Sequence, residues 1–454
     1  MVGDRTGRFP RAIVISPGRP STGRFRCCYE AVTPRRGRLL GDFRMILSRR
    51  TLLGSAAVTA VSAALPLRPA RAQRPVIRIG VMNDQSGTYR DVSGPTSVIC
   101  TRQAIAEFGD KGFDVEVLVA DHQNKPDVAV SLAKQWFDRD GVDMIQDGGA
   151  SSCALALTQI VREKNKVFLS TSTATSDLTG KACTPNTIHW VLDTYMSSKS
   201  TAGAMTKHGG DTWFFITANY AFGQALQRDA SKFVTDAGGK VVGSNAYPFP
   251  ETTDFSATLL QAQASKAKVL GLANAGTDTV NCIKQAHEFG ITAGGQRLAA
   301  LLAYSTDIHA IGLDIAQGLV MSESFYWDLN DRTRAWMTRI KPKVTLWPNS
   351  AQAGQYSSAL HYLKAVAQKG PAAAKADGAA TDAAMEAMPT EDDCFGANGH
   401  IREDGRKIHP CYLFEVKKPS ESKQEWDLMR EIAVTPAEDA FRPLSEHACP
   451  LVKA

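Results

Sequence analysis

Serine, threonine and single tyrosine side chains gather in short loops, each of which follows a β-branched run of the sequence. The loops comprise residues 83–89, 147–152, 170–175, 218–223, 274–277 and 302–305. Hydroxyls and small residues suit neutral hydrogen bonds to a small polar solute, and tyrosine rings can cover its apolar part. The chemistry that these residue types favour is noncovalent capture of a small molecule in a cleft.

The motifs of the chain give little support to reaction chemistry. It contains no GxxxxGK[ST], GxGxxG or GxSxG motif, and no CxxC or HExxH spacing that would suit zinc. Gly148-Gly149 follows a strand but lacks the spacing of a dinucleotide turn, and His122 has no serine or cysteine partner in an elbow motif. The sequence therefore predicts a binding protein, not an enzyme, with no cofactor and no metal.

Alternating strands and helices position the first three loops. Strands are predicted at 76–82, 114–120, 142–146 and 167–169, and helices at 95–108, 125–137 and 152–163. Strands separated by helices indicate βαβ units on a parallel sheet. Ligands of such sheets bind beyond the carboxyl ends of the strands, which is where the hydroxyl-rich loops lie.

A second series of the same kind begins at Asp211. Strands are predicted at 213–217, 240–244 and 269–273, and helices at 222–236, 255–264 and 278–289. Two doubly wound, Rossmann-like α/β modules in tandem are therefore expected, joined near residues 190–199. Further helices are predicted at 331–340, 353–367 and 379–388, followed by a hairpin-like segment at 399–416 that turns at Asp404-Gly405.

The charge of the chain is unevenly distributed. The formal net charge is +6, but residues 1–72 hold 14 arginines, no lysine and only three acidic residues. The remaining 382 residues hold 38 basic and 43 acidic residues. A mildly acidic body without a basic stripe argues against a nucleic-acid partner.

The same N-terminal region carries the parts of an export signal in the required order. Arg49-Arg50 is a twin-arginine pair, Leu52 to Leu65 is apolar, and Ala70-Arg71-Ala72 has the small-x-small form of a cleavage site. The apolar stretch of 14 residues is too short to cross a bilayer, which needs about 20. The pattern predicts export and not a membrane anchor.

Residues 45–72 are therefore predicted to be a twin-arginine signal peptide that begins at Met45. Residues 1–44, which precede it, are predicted to be a non-native N-terminal extension. The next residue, Gln73, is not a cysteine, so no lipid anchor is expected. The mature protein is expected in the periplasm after export by the twin-arginine machinery.

The predicted mature chain has seven cysteines. Some should pair in an oxidising compartment, and an odd number leaves at least one thiol free. Cys394 and Cys411 could join across the predicted hairpin, and Cys183 could join Cys449 in the tail. Spacing alone does not decide between connectivities, so both pairings stay open.

Several segments, taken in order, resemble type I periplasmic solute-binding proteins of ABC importers, and more narrowly the leucine/isoleucine/valine-binding family. The resemblance covers about residues 76–430. It rests on Ile79-Gly80-Val81-Met82 with Ser86-Gly87, Ala120-Asp121-His122-Gln123 with Pro126, Gly149-Ala150-Ser151-Ser152, Ser170-Thr171-Ser172-Thr173-Ala174, Asn219-Tyr220-Ala221-Phe222-Gly223, and Lys268-Val269 with Gly276.

This resemblance implies two Rossmann-like lobes that are joined by a hinge of three segments and close on a solute. Lobe 1 would comprise residues 73–193 and 328–390, and lobe 2 residues 194–327 and 391–435, with 436–454 as a C-terminal tail. Delivery of the solute to an inner-membrane ABC permease by a monomer is implied. The alternative is a ligand-sensing receptor module that reports to a signalling partner.

The ligand-binding residues are also implied by the resemblance. The first lobe would bind a solute carboxylate, and tyrosines would cover the solute from both lobes. The residues expected to take part are Ser86, Tyr89, Ser151, Ser152, Ser172, Thr173 and Ala174 in the first lobe, and Tyr220, Asn274, Ala275, Gly276 and Tyr304 in the second.

One loop departs from the amino-acid-binding members, which carry a carboxylate there that pairs with the α-ammonium of the solute. In this chain Leu301 to Ser305 contains no acid, and the next one is Asp307. Burying an ammonium without a counter-charge is costly. We therefore expect a carboxylate or amide solute without the amine, an aromatic one included, with Tyr304 stacking on it or hydrogen bonding to it. Alternatively, Asp307 or Asp121 turns into the cleft and restores amino-acid binding.

Overall fold

The structure, a computed structural model, describes residues 74–446 and 448–453. The predicted signal peptide (45–72) and N-terminal extension (1–44) lie outside these residues. Among the helices that the structure describes, none has the length and apolar character needed to cross a membrane.

A parallel five-stranded sheet in the order β2-β1-β3-β4-β5 forms the centre of the first lobe. β3 and β4 are buried throughout, as expected of strands covered by helices on both faces. The strands and their covering helices are β1 (Val76–Asn83), α1 (Gly94–Phe108), β2 (Asp114–Asp121), α2 (Pro126–Gln135), β3 (Met144–Asp147), α3 (Ser151–Glu163), β4 (Val167–Ser170) and β5 (Thr187–His189). The sheet confirms the predicted parallel α/β fold.

The second lobe repeats this design around a four-stranded parallel sheet in the order β7-β6-β8-β9. Two short helices, α4 (Thr194–Ser197) and α5 (Gly203–Lys207), lead into it. Its elements are β6 (Thr212–Ala218), α6 (Ala221–Asp236), β7 (Lys240–Tyr247), α7 (Ser256–Ala264), β8 (Val269–Ala273), α8 (Thr277–Glu288), β9 (Arg297–Ala300), α9 (Ser305–Ile311), α10 (Leu313–Ala316) and β10 (Val320–Glu323).

The chain then returns to the first lobe. Arg339 pairs with Glu107 of α1 at 2.7 Å, and the side-chain amide of Gln352 donates to the Ser93 carbonyl at 3.1 Å. The returning elements are α11 (Asp331–Ile340), α12 (Ser350–Lys369), α13 (Pro371–Ala376), α14 (Gly378–Glu386), β11 (Thr390–Asp392) and β12 (Gly396–Gly399). The Ser357 hydroxyl donates to Asp392 at 2.7 Å, which holds β11 against α12.

The segment predicted as a hairpin at 399–416 is divided between the two lobes. A short turn at Asp404-Gly405 does form, flanked by a bridge between Ile401 and Lys407, but it lies beside β5: the His189 amide donates to the Gly405 carbonyl at 2.8 Å. β13 (Cys411–Val416) pairs instead with β10 and with β14 (Met429–Thr435) on the second lobe, before α15 (Ala437–Ala440). The second segment of lobe 2 therefore begins near residue 411, later than the predicted residue 391.

Arg406 explains why this segment belongs to the first lobe. Its side chain is fully buried, donates to the Val191 carbonyl and pairs with Asp193 at 3.4 Å. The guanidinium also lies 4.3 Å from the centre of the Phe441 ring. Burial lowers its pKa to about 10. The buried Arg406 side chain thus joins three segments: its own, the segment at Val191 and Asp193 where the chain leaves the first lobe, and the C-terminal tail at Phe441.

Of the two predicted disulfides, one forms and the other does not. Cys183 and Cys449 form a disulfide. Cys394 and Cys411 are free and buried, so that predicted bridge is wrong. The reason is the division of the predicted hairpin: Cys394 packs with Trp336 and other apolar residues of the first lobe, whereas Cys411 begins β13 on the second.

Candidate ligand-binding cleft

A small cavity with about 20 Å³ of free space lies between the lobes, because the side chains that line it nearly fill it. Its walls come from the loops after β1, β3 and β4 on one side and after β6, β8 and β9 on the other. No lining side chain is an acid, a lysine, an arginine or a histidine. The lining residues are Tyr89, Val92, Ser93, Gly149, Ser151, Ser172 and Ala174 of the first lobe, and Tyr220, Phe222, Ala275, Leu302 and Tyr304 of the second.

The strand order explains why these loops meet. In both sheets the order reverses direction at the first strand, between β1 and β3 in the first lobe and between β6 and β8 in the second. Chains leave neighbouring strands toward opposite faces at such a point, and the crevice between them is where doubly wound folds bind ligands. Here the two crevices face each other across the cavity.

Seven of the twelve predicted site residues line this cavity: Tyr89, Ser151, Ser172, Ala174, Tyr220, Ala275 and Tyr304. The structure places the other five outside its lining. The Ser86 hydroxyl donates to Asp121 at 2.7 Å, and the Thr173 hydroxyl donates to the Gly149 carbonyl at 2.9 Å. The side-chain oxygen of Asn274 accepts from the Thr279 hydroxyl at 2.7 Å inside the second lobe. Ser152 and Gly276 adjoin lining residues without themselves lining the cavity.

Five lining residues were not among those predicted: Val92, Ser93, Gly149, Phe222 and Leu302. Three of them have apolar side chains, which a pattern of polar loop residues does not indicate. Phe222 and Leu302 nevertheless stand in the two tyrosine-bearing loops of the second lobe, at 218–223 and 302–305. Their place in those loops was the available signal.

The N-terminus of α3 supplies the electropositive end of the cavity. Its N-cap residue is Ala150, which has no side-chain oxygen to satisfy the amides of the first turn. Those amides and the positive end of the helix dipole favour an anionic group. Ser151 is buried beside them, and its hydroxyl oxygen accepts from the Thr175 amide at 3.3 Å. This end of the cavity can bind a carboxylate without any cationic side chain.

The carboxylates near the cavity accept hydrogen bonds from groups inside the first lobe and not from the cavity. Asp147 accepts hydrogen bonds from Ser172 and from the Asn83 amide, and burial raises its pKa. Asp84 accepts from the backbone amides of Gly87 at 2.6 Å and Tyr89 at 2.9 Å. Asp84 therefore fixes the loop that presents Tyr89 and does not face a solute.

Neither acid that could have restored amino-acid binding lines the cavity. Asp307 accepts from the backbone amide of Tyr304 at 3.0 Å, at the start of α9, and burial raises its pKa to about 7. Asp121 accepts from Ser86 and from the Gln123 amide at 2.8 Å. Both carboxylates are used to shape loops.

Aromatic side chains from the two lobes meet at the cavity. The hydroxyls of Tyr89 and Tyr220 are 2.5 Å apart. Phe249 stacks on both rings, with centroids 5.3 Å from Tyr89 and 4.3 Å from Tyr220. Beside them the Thr277 amide donates to the Thr88 carbonyl at 3.2 Å. The lobes are therefore in direct contact around the cavity, as in a closed state.

A larger groove of about 530 Å³ lies elsewhere, between α5, α8, β9 and β14. It contains none of the predicted site residues, and all of its lining residues lie between Ala204 and Ala433, outside the loops that line the smaller cavity. The groove does carry polar side chains, His208, His287 and Arg297 among them, but it does not lie at the carboxyl ends of strands from both lobes, as the smaller cavity does. The interlobe cavity is therefore the candidate site.

Comparison with known proteins agrees with this architecture. The sequence model of the family described as periplasmic binding protein matches residues 76–423. The chain belongs to that family. Its members are solute-binding proteins, and the type I fold of two Rossmann-like lobes is the one seen here.

Solved structures support the assignment to the periplasmic binding proteins. A periplasmic binding protein from Burkholderia mallei is 45% identical, with a TM-score of 0.79 over 83% of this chain and 99% of that chain. A branched-chain amino acid ABC transporter periplasmic ligand-binding protein from Burkholderia xenovorans is 36% identical, with a TM-score of 0.72 over 83% and 100%. At 19% identity, a solute-binding protein from R. palustris in complex with benzoate shares the fold, with a TM-score of 0.71 over 80% and 97%.

The Leu/Ile/Val-binding protein homolog 6 of Brucella melitensis is 26% identical over 262 residues. The match covers 56% of this chain and 66% of that relative, slightly less than two thirds of its length. The likeness places this periplasmic binding protein near the leucine/isoleucine/valine-binding branch. It does not by itself assign the solute.

Proposed function

We propose that this periplasmic binding protein captures a small carboxylate or amide solute that lacks an α-ammonium group, and delivers it to an inner-membrane ABC permease. The observation that supports the solute class is the neutral lining of the cavity: uncapped helix amides at one end and no acid at the other. An α-amino acid needs partners for both of its charges. This cavity offers a partner only for the carboxylate.

The apolar and aromatic lining favours an aromatic or branched solute. The rings of Tyr89, Tyr220 and Phe222 and the Leu302 side chain line the cavity, and most of its surface is apolar. Tyrosine and phenylalanine prefer stacked or edge-to-face contacts with another ring. Benzoate in the R. palustris relative shows that proteins of this fold can take an aromatic carboxylate.

A thermal-shift panel tests this proposal. The protein from residue 73 onward would be heated with leucine, phenylalanine, benzoate, 3-phenylpropanoate and benzamide. A ligand at 100 times its Kd stabilises by about 2.7 kcal/mol, which raises the Tm by several degrees. We expect shifts with acids or amides and none with the amino acids. A large shift with leucine alone would contradict the proposed solute class.

We also propose how the protein is exported and where it is located. Export through the twin-arginine route, periplasmic location and a monomeric state would suit a carrier that meets a permease. Replacing Arg49 and Arg50 by lysine in the full-length protein should stop its appearance in the periplasmic fraction. Unchanged export of that variant would remove the twin-arginine route from the proposal.

A further inference from the structure

Tyr304 lines the second-lobe wall of the cavity, and its hydroxyl is a hydrogen-bonding group there without a partner. The side chain is fully buried, and the hydroxyl has no hydrogen-bond partner among the residues that the structure describes. A buried hydroxyl without a partner costs free energy that a ligand can recover. By contrast, the hydroxyls of Tyr89 and Tyr220 in the same cavity bond to each other.

The backbone of Tyr304 is held in place by hydrogen bonds within its own loop, so in the closed form the side chain keeps its place in the cavity wall. Its amide donates to the Asp307 carboxylate, and its carbonyl accepts from the Asp307 amide at 2.9 Å. The ring packs in the hydrophobic cluster that includes Leu302 and Ala275. Burial also raises the pKa of Tyr304 well above its usual range, so the hydroxyl keeps its proton and can donate.

The position of the hydroxyl defines a second recognition point. The N-terminus of α3 and Ser151 belong to the first lobe, and Tyr304 belongs to the second. A solute that contacts both must carry an anionic group toward α3 and a hydrogen-bonding atom toward Tyr304. No charge is needed at the second point, because no charged side chain lines that wall.

We propose that Tyr304 is a specificity-determining residue that selects carboxylate solutes carrying a second oxygen besides those of the carboxylate, as in a hydroxylated aromatic acid. The inference rests on the proposed solute class and narrows it. Sites built to satisfy a polar group discriminate strongly against analogues that lack the group, because the buried partner is then left unpaired.

Two matched pairs of ligands test the inference: benzoate with 4-hydroxybenzoate, and 3-phenylpropanoate with 3-(4-hydroxyphenyl)propanoate. Calorimetric titration of the wild-type protein should give a Kd for the better-fitting hydroxylated acid about 3- to 10-fold below that of its parent. In Tyr304→Phe, which keeps the ring, this preference should fall to about 1, mainly through weaker binding of the hydroxylated acid.

Tyr362→Phe is the control variant. Tyr362 is also fully buried with a hydroxyl that has no partner among the described residues, but it lies in a first-lobe cluster and does not line the cavity. This variant should keep the wild-type preference, which separates recognition from a general effect of removing a buried hydroxyl.

The outcomes separate this inference from the proposed function. Acids that bind without any preference for the hydroxylated member, or a preference that survives in Tyr304→Phe, would overturn the role of Tyr304 and leave the solute class standing. Failure of every acid and amide to bind, together with binding of an amino acid, would overturn both.

Discussion

Gly276 lies where the backbones of the two lobes approach each other beside the cavity. Its φ is +59°, and a Cβ atom placed there would lie 2.6 Å from the Thr88 carbonyl oxygen and 3.0 Å from the Tyr89 ring. Both contacts belong to the opposite lobe. A methyl group would therefore oppose closure, while the open form would feel only the backbone strain.

Gly276→Ala should raise the Kd for the solute by about 10-fold or more, because a loss of about 1.4 kcal/mol from the closed state corresponds to one factor of 10. Gly312→Ala is the matched control, since Gly312 has φ of +88° and a methyl group added there would meet nothing within 4 Å. Calorimetry and thermal unfolding should show similar losses of stability in both variants and weak binding only in the first. Equal affinities would refute the idea that this contact controls closure.

The residue types in the loops predicted which kinds of side chain line the cavity better than they predicted which individual residues do. Ser151 and Ser172 line it, although the Ser172 hydroxyl also donates to Asp147. Ser86 and Thr173, of the same chemical kind, lie outside the lining and bond to Asp121 and to the Gly149 carbonyl. Which way a hydroxyl points depends on the local backbone and on partners from distant segments. Neither can be deduced from a loop read alone.

The Glu323 carboxylate links the N-termini of two helices that belong to different lobes. At the end of β10, its carboxylate accepts from the Ser305 amide at 2.8 Å, where α9 begins on the second lobe. It also accepts from the Ser350 amide at 3.3 Å, where α12 begins on the first lobe. Helix N-termini favour a negative charge, yet burial dominates and raises the pKa of Glu323 to about 8. Asp307 and Tyr304, which also face this group, carry no positive charge.

The direction of this pKa shift predicts a pH dependence of stability. A carboxyl whose pKa is higher in the folded than in the unfolded state stabilises the fold most at low pH. That contribution is lost as the pH rises from about 4.5 to about 8. Glu323→Gln keeps the hydrogen-bonding shape without the titration, so its Tm relative to wild type should increase across this window. Glu163→Gln, at an exposed site on α3, should give no such trend. A difference that does not change with pH would contradict the assignment.

The elements themselves were largely predictable, because hydrophobic periodicity survives wherever a strand or helix is long. Most predicted strands and helices of both sheets form within a few residues of the expected positions, as β8 (Val269–Ala273) and α11 (Asp331–Ile340) do. The failures were short segments. β5 has three residues, and the turn at Asp404-Gly405 is placed by the buried Arg406 and by backbone bonds to His189. Contacts between distant parts of the chain leave no local pattern.

At the scale of the whole molecule, the C-terminal tail makes a further link between the lobes. The tail leaves β14 on the second lobe, and the Asp439 carbonyl there accepts from Lys199. It then crosses to the first lobe, where Arg442 donates to Ser176 at 3.1 Å and Cys449 is joined to Cys183. The disulfide thus closes a covalent loop that contains the entire second lobe.

Removing this link should destabilise the protein and allow wider opening. Cys449→Ser should lower the free energy of unfolding by about 3–5 kcal/mol, given the long loop that the disulfide closes. The radius of gyration without solute should also increase in small-angle scattering. Cys183→Ser and the double variant should give the same values, because all three remove one bond. Additive losses, or wild-type behaviour under oxidising conditions, would contradict this role of the tail.

The central claim is that the closed molecule offers a solute a site for a carboxylate and none for an ammonium. The most direct measurement is calorimetric titration of two pairs that differ only in that ammonium: 3-phenylpropanoate with phenylalanine, and 4-methylpentanoate with leucine. In at least one pair the acid should bind with a stoichiometry of one and a Kd at least about 10-fold lower than its amino acid. Tighter binding of phenylalanine or leucine than of the matching acid would contradict the claim.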